Sequence, residues 1–400
     1  MAVEDLAAKG HLLIDFGLQP ISNRFLAGGS EAVAPHFPLQ LRIDASSGLI
    51  HLGTPFPVAE LKPRYDWVTA FEPEDHLDDL VDRVMTLPGV TRDSVFGAYS
   101  FKDDSTLRRL ERKGYRRNWR IDPKRDLGVT DPCANVETYQ QAFTLAKARE
   151  IRARLGGADV MIVRHVIEHS YDLEVFIAAV RELLNPNGYI VWELPDCSRS
   201  LDAADCTSVW EEHVYYFTRF TFEQLMRKHF EVVHYDVAPY VLEDSLVAIV
   251  REGPIDEEAR PDPDAVAEEL ARGRAFARNI ADRKSAVRKS LERIRARHGP
   301  IAIFGAAHLS VAFLSILGVA DLICFSVDDN SNKVGLRMPV GGLQVFSSTE
   351  LYSGRVKVCL LGLNPQNQPA VLSRHARFRE SGGVFASIFS GDELYLERLE

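Results

Sequence analysis

An alternation in the middle of the chain constrains its fold more than any other feature. Ala158 to Val163 is a compact apolar run, and Phe176 to Leu184 carries apolar residues at helical spacing. Asn185-Pro186-Asn187-Gly188 then reads as a turn, and Tyr189 to Leu194 is apolar again. Short apolar runs bounded by Gly, Pro and Asn predict buried strands, and the stretch between them predicts a helix. A similar unit precedes it: a strand over Ser94 to Tyr99, a turn over Phe101 to Ser105, a helix over Thr106 to Lys113, and a strand ending at Ile121-Asp122. Strands alternating with helices at this spacing predict an open, mostly parallel, Rossmann-like α/β sheet.

The flanks differ. Residues 11–60 hold short apolar runs (Leu12 to Phe16, Leu39 to Ile43, Leu49 to Leu52) separated by turn residues, which predicts a small β-rich module. A helix is expected through Leu77 to Met85. Gly253-Pro254 and Pro261-Asp262-Pro263 mark a boundary, and Ala265 to His298 reads as a long, partly exposed linking helix. Beyond it, Ile301 to Phe304 enters a turn at Gly305, and Leu322 to Val327 ends on Asp328-Asp329-Asn330. An apolar strand, a glycine turn and a later strand ending in acids is the layout of a nucleotide-binding unit. One glycine leaves nucleotide binding and plain scaffolding both open. The expected division is 1–70, 71–253, a linker over 254–299, and a second Rossmann-like domain over 300–400.

Composition excludes several functions. The 400 residues are 46% hydrophobic and 26% charged, as in a globular protein of two or three domains. A formal net charge of -10 argues against a nucleic-acid partner. The one basic run, Arg108 to Arg125, reads as a solvated face. No apolar run is long enough to cross a membrane, and no signal-peptide pattern opens the chain, so a cytoplasmic location is expected. Cys133, Cys197, Cys206, Cys324 and Cys359 are scattered without zinc-ligand spacing, which predicts reduced thiols and no metal. Oligomeric state is not legible.

The stretch with most chemistry is Trp210-Glu211-Glu212-His213-Val214-Tyr215-Tyr216-Phe217. A histidine after two carboxylates is a candidate general base, since a neighbouring carboxylate can orient the imidazole. A surface turn whose tyrosines cover a core edge is the competing reading.

Six ordered segments carry a family resemblance across most of the chain. Leu13 to Leu26 resembles the "LDLGxQPLANxFL" of three-domain C-methyltransferases that act on a nucleotide-linked 4-keto-deoxyhexose. Arg164 to His169 with Asp172-Leu173 is similar to "RNVLAHVxDL", Glu193 to Asp196 to "EVPD", and Trp210 to Phe217 to "YHEHLSYF". Ser245-Leu246 stands where that family has "GGSLRV", and Val327 to Asn330 with Lys333 and Gly335 resembles "VDDNPxKxG".

The resemblance implies a methyltransferase in which His213 removes the proton next to a sugar ketone, with Glu212 orienting it. His169 and Tyr65 are then expected around the enolate. It implies S-adenosylmethionine as cofactor near Tyr99, Asp104, Asp122 and Arg164, and substrate contacts from Asn23, Trp210, Tyr216, Asp328, Asn330 and Lys333. Two departures accompany these matches. The family's zinc cysteines are absent, the second pair falling on Asp44 and Ser47, so no zinc is expected. The cofactor turn "EIGxNDGxL" falls on Tyr99 to Leu107, with both glycines replaced, by Phe101 and Ser105. Three functions stay open at this point: methyl transfer, cofactor-independent enolisation as an epimerase, isomerase or eliminase, and a homologue that only binds.

Overall fold

The computed structural model describes residues 10–66, 72–254 and 260–399. The expected division at 70/71 lies outside them. Near the N-terminus run β1 (His11–Pro20), β2 (His36–Ile43) and β3 (Ile50–Leu52). The middle supplies β4 (Phe96–Ala98), β5 (Asn118–Arg120), β6 (Ala158–Arg164), β7 (Leu184–Asp196), β8 (Tyr215–Tyr216), β9 (Glu231–Ala238) and β10 (Asp244–Arg251). The last part supplies β11 (Ile301–Phe304), β12 (Ile323–Asp328), β13 (Val345–Ser347), β14 (Val358–Leu361) and β15 (Val384–Ser387).

These strands form three sheets, ordered β1-β2-β3-β8, β5-β4-β6-β7-β10-β9 and β13-β12-β11-β14-β15. The middle sheet is parallel from β5 to β7, and β10 and β9 join antiparallel. The third sheet is parallel throughout. Strands β6 and β7 read as near-continuous apolar runs because helices cover both faces of a parallel sheet. The helix Leu173–Glu182 begins at Asp172, whose carboxylate caps the Val175 N–H at 3.0 Å.

Two local expectations change. Asn185 to Gly188 is not a free turn but lies within β7, opposite a register shift between Ala158 and Val160 that accommodates extra residues as a bulge. The helix Pro263–His298 is not merely a linker. Phe276, Ile280, Val287, Leu291 and Ile294 are buried in one core with Leu41, Ile43 and Ile50 of the first sheet and Ile301, Ile303 and Val358 of the third. At Gly273 a methyl group would stand 2.8 Å from Ile43 Cδ1, so the glycine lets this helix approach the first sheet closely.

The zinc-module positions have an alternative local solution. One oxygen of Asp44 accepts from the N–H and Oγ–H of both Ser46 and Ser47, at 2.6 to 3.0 Å. A hydrogen-bonded turn thus closes where a metal closes the loop in the family resembled. The five cysteines are free thiols. Charges in the basic run are met locally, Arg109 by Glu74 and Asp78, Lys113 by Asp82, and Arg120 by Asp104. Among the described residues no helix is long and apolar enough to cross a membrane.

The least expected element is β8. Tyr216 pairs with Ile50 and Tyr215 with His51, so the Glu-Glu-His stretch is stitched to the N-terminal sheet. Val214 N also donates to Glu168 O and Leu52 N to Val214 O, both at 2.8 Å. The first two sheets therefore hold residues 210–217 between them.

Candidate active site

Residues 210–217 separate two cavities. A chamber of about 150 Å³ is lined by Lys102, Glu168, His169 and His213, among others. A cleft of about 560 Å³ is lined by Asn23, Tyr65, Glu137, Glu212, Asn330 and Lys333, among others. Trp210 and His308 line both. Their rings stack at 4.6 Å and 29°, forming the partition.

The predicted residues divide between these spaces. His213 and His169 come together in the chamber, their rings 4.8 Å apart. Glu212 turns to the cleft, where Oε1 accepts from Asn23 Nδ2 at 3.1 Å. Its carboxylate therefore does not orient His213. Its backbone carbonyl instead accepts from His169 Nδ1 at 2.7 Å. A carbonyl only accepts, so Nδ1 carries the hydrogen and Nε2 of the neutral ring keeps its lone pair. Tyr65 lines the cleft rather than the chamber.

Burial governs the protonation states. It pushes the His213 imidazole well below its ordinary value, and the fields of His169, His308 and Lys102 push the same way. His169 falls to about 3, by burial and then by the Lys102 charge. Both rings are neutral at pH 7. Burial lifts Glu168 to about 7 and Glu212 well above the carboxylate range, with Glu137 and Glu211 adding to the latter.

Several residues in or beside the chamber were given no role by the resemblance. Lys102 Nζ donates to His165 O at 3.0 Å and pairs with Glu72 and Glu137, each at 2.8 Å. Burial opposes its charge, but Glu137 and Glu72 more than offset this, so it stays an ammonium. Glu168 and Glu211 fall where the resembled motifs have alanine and histidine. Those mismatches were the available signal. Glu211 is held by Ser22, whose Oγ donates to it at 3.1 Å, and His308 Nε2 meets Thr207 O at 2.7 Å.

Other expected contacts are placed elsewhere. Arg164 is fully buried, donating to both oxygens of Glu193 and to the carbonyls of Lys102 and Pro73. Four of its five N–H donors are spent on the sheet end, so it braces the site. Asp104 pairs with Arg120 across the loop at 2.6 Å. Tyr216 Oη clamps Trp210 N and O at 3.1 and 2.9 Å, which fixes the loop from behind. Asp328 accepts from Ala306 N, Asn330 N and Lys333 Nζ, so it shapes its own turn and leaves Asn330 and Lys333 to face the cleft. His165, at the exit of β6, holds φ 51° while its Nε2 meets Glu193 at 3.0 Å. Left-handed backbone at a buried non-glycine residue is strain of the kind found at functional sites.

Residues 102–235 match the family described as "Methyltransferase domain", and residues 255–389 match "C-methyltransferase C-terminal domain". A curated relative, C-methyltransferase NovU of Streptomyces niveus, is 26% identical over 389 residues, 93% of this chain and 91% of that protein. The chain carries a methyltransferase domain followed by a C-methyltransferase C-terminal domain. The enzyme is of the S-adenosylmethionine-dependent class, with a Rossmann-like methyltransferase domain in its middle. A solved S-adenosylmethionine-dependent methyltransferase from Anabaena variabilis shares 12% identity over 44% of this chain and 84% of that one, with a TM-score of 0.29. Human methyltransferase-like protein 13, in complex with SAH, shares 13% over 49% and 86%, with a TM-score of 0.24.

The methyltransferase's own residues fit the cofactor at its ribose end. Asp122 follows β5 half exposed, and the Arg125 N–H and charge hold its carboxyl below the usual range. An ionised carboxylate at that strand end suits ribose hydroxyls. At the exit of neighbouring β4, Tyr99 is buried against Phe143 and Phe176, and among the described residues its Oη has no hydrogen-bond partner. The loop between them departs from a glycine turn. Phe101 points outward, 48% exposed, while Lys102 runs beneath it into the chamber.

Proposed function

We propose that the enzyme methylates the carbon next to the ketone of a nucleotide-linked deoxy-keto-sugar, with His213 as the base that removes the proton. The observation that carries this reading is the state of His213. Its ring is buried and neutral, and among the described residues its side chain has no hydrogen-bond partner. A lone pair in a small chamber is available to an α-proton. The electrons of the C–H bond then move onto the ketone oxygen and the imidazole becomes cationic. His169 presents a lone pair and cannot donate to that oxygen. The Lys102 ammonium lines the same chamber, its three N–H donors engaged by His165 O, Glu72 and Glu137. Glu212 with Asn23, and Asn330 with Lys333, are assigned to the sugar and nucleotide in the adjoining cleft. Asp122 and Tyr99 hold S-adenosylmethionine, which supplies the electrophilic methyl group. The expected location is cytoplasmic.

The test is transfer of labelled methyl from S-adenosylmethionine to nucleotide-linked 4-keto-deoxyhexoses. Product labelled on carbon supports the reading, and label on oxygen or nitrogen overturns it. A pH profile probes the base itself. A free histidine loses basicity as pH falls through about 6.5. Because the folded value of His213 lies well below that, the acid limb of turnover is expected below pH 6.5, with a flat profile from 6.5 to 8. An acid limb centred at or above about 6.5 would assign the base to another group.

A further inference from the structure

The chamber contains groups that proton abstraction does not use. We propose that Glu168, His169 and His213 form a binding site for a divalent first-row metal ion such as zinc or cobalt, and that the ion competes with the substrate proton for His213. One ligand atom from each residue lies within 4.8 Å of the others, and His169 Nε2 is 3.7 Å from Glu168 Oε1.

Three independent observations support the site. Both carboxylate oxygens of Glu168 are buried and, among the described residues, without a hydrogen-bond partner. Leaving such a group unsatisfied is costly, and coordination would satisfy it. His169 is already set as a ligand, since its Nδ1–H is held by the Glu212 carbonyl and its Nε2 lone pair is fixed in direction. The surroundings are also rich in acids. Glu72 and Glu137 lie around the same groups, paired with the permanent cation Lys102. That ammonium opposes a second cation, but Glu72 and Glu137 hold it and offset its field.

Two imidazoles and a carboxylate suit zinc, cobalt and their neighbours in the first row. At metal–nitrogen distances of about 2.1 Å, tetrahedral ligand atoms stand about 3.4 Å apart. The widest separation, 4.8 Å, must therefore close by about 1.4 Å, through rotation of the Glu168 and His213 side chains in a chamber of about 150 Å³. A fourth position stays open to the chamber, as in catalytic rather than structural sites. Glu168 occupies the alanine position of the resembled "RNVLAHVxDL", so the carboxylate is an addition to that pattern. Once the His213 lone pair forms a bond to the ion it cannot accept a proton. Only this competition rests on the reading of His213 as base.

The test uses the full-length protein, freed of metal by a chelator and titrated with cobalt(II) without substrate. A saturable visible absorption at one ion per chain is expected, with binding at least about 100-fold weaker in Glu168→Gln and in His169→Ala at unchanged circular dichroism. Absence of saturable absorption, or binding unaffected by both substitutions, overturns the site. Added zinc is then expected to slow turnover at least about 10-fold and a chelator to restore it. Unchanged turnover with the ion bound overturns the competition. The cobalt signal needs no turnover, so it reports on the site even if the base is another residue.

Discussion

His213→Ala is expected to lower the rate of methyl transfer by a factor on the order of 10² to 10⁴, the usual contribution of a positioned general base. The side chain meets His169, Trp210 and Tyr216 through ring contacts, at centroid distances of 4.8, 5.0 and 6.2 Å. Removing it leaves a void beside the Trp210–His308 partition but breaks no hydrogen bond among the described residues. Substrate affinity and thermal midpoint are therefore expected to move little, and kcat is expected to carry the loss. Glu212→Gln separates the two cavities. It alters a group that faces the cleft with Asn23, so its effect is expected in KM more than in kcat. Equal losses of kcat in both variants would instead put Glu212 and His213 in one catalytic unit.

The second large effect concerns stability. Arg164 and Glu193 form an ion pair at the ends of β6 and β7, both side chains fully buried. Burial disfavours both charges, but each holds the other ionised, Arg164 pushed up and Glu193 well down. Removing one partner of such a pair strands the other and typically costs about 3–5 kcal/mol. Arg164→Met is expected to lose that much in urea unfolding, and to free Glu193 from the bonds that help set His165 and His76. Pairing it with Glu193→Leu is expected to recover part of the loss, because no unpaired charge is then left in the sheet. A single variant within about 1 kcal/mol of the parent would show that the pair is solvated in solution.

How much of this was legible in the sequence follows from what each signal depends on. The alternation from Ala158 to Leu194 depends on burial along one segment, so it located β6, the helix Leu173–Glu182 and β7 to within a few residues. Asn185 to Gly188 misled because turn residues also fill a bulge, and only pairing with β6 shows which. The pairing of Tyr215 and Tyr216 with Ile50 and His51 was hidden, since a two-residue strand has no periodicity. Resemblance found His213 and His169 but not the divergence of Glu212, because adjacent side chains in an irregular segment need not face the same cavity. Lys102 falls on an unconstrained position of its motif, and Glu168 and Glu211 on mismatched ones, so the resemblance gave none of them a role. In the structure each is a buried charged side chain with a defined place in or beside the chamber.

The central claim is that this chamber removes a proton next to a ketone before any methyl group moves. Incubating the wild-type enzyme with a nucleotide-linked 4-keto-deoxyhexose in D₂O, without S-adenosylmethionine, tests it most directly. Proton resonance spectra are predicted to show loss of one α-proton signal as deuterium enters from solvent, at a rate that His213→Ala reduces on the order of 10² to 10⁴-fold. Retention of every carbon-bound proton, with a sugar that the same preparation does methylate, would contradict the account.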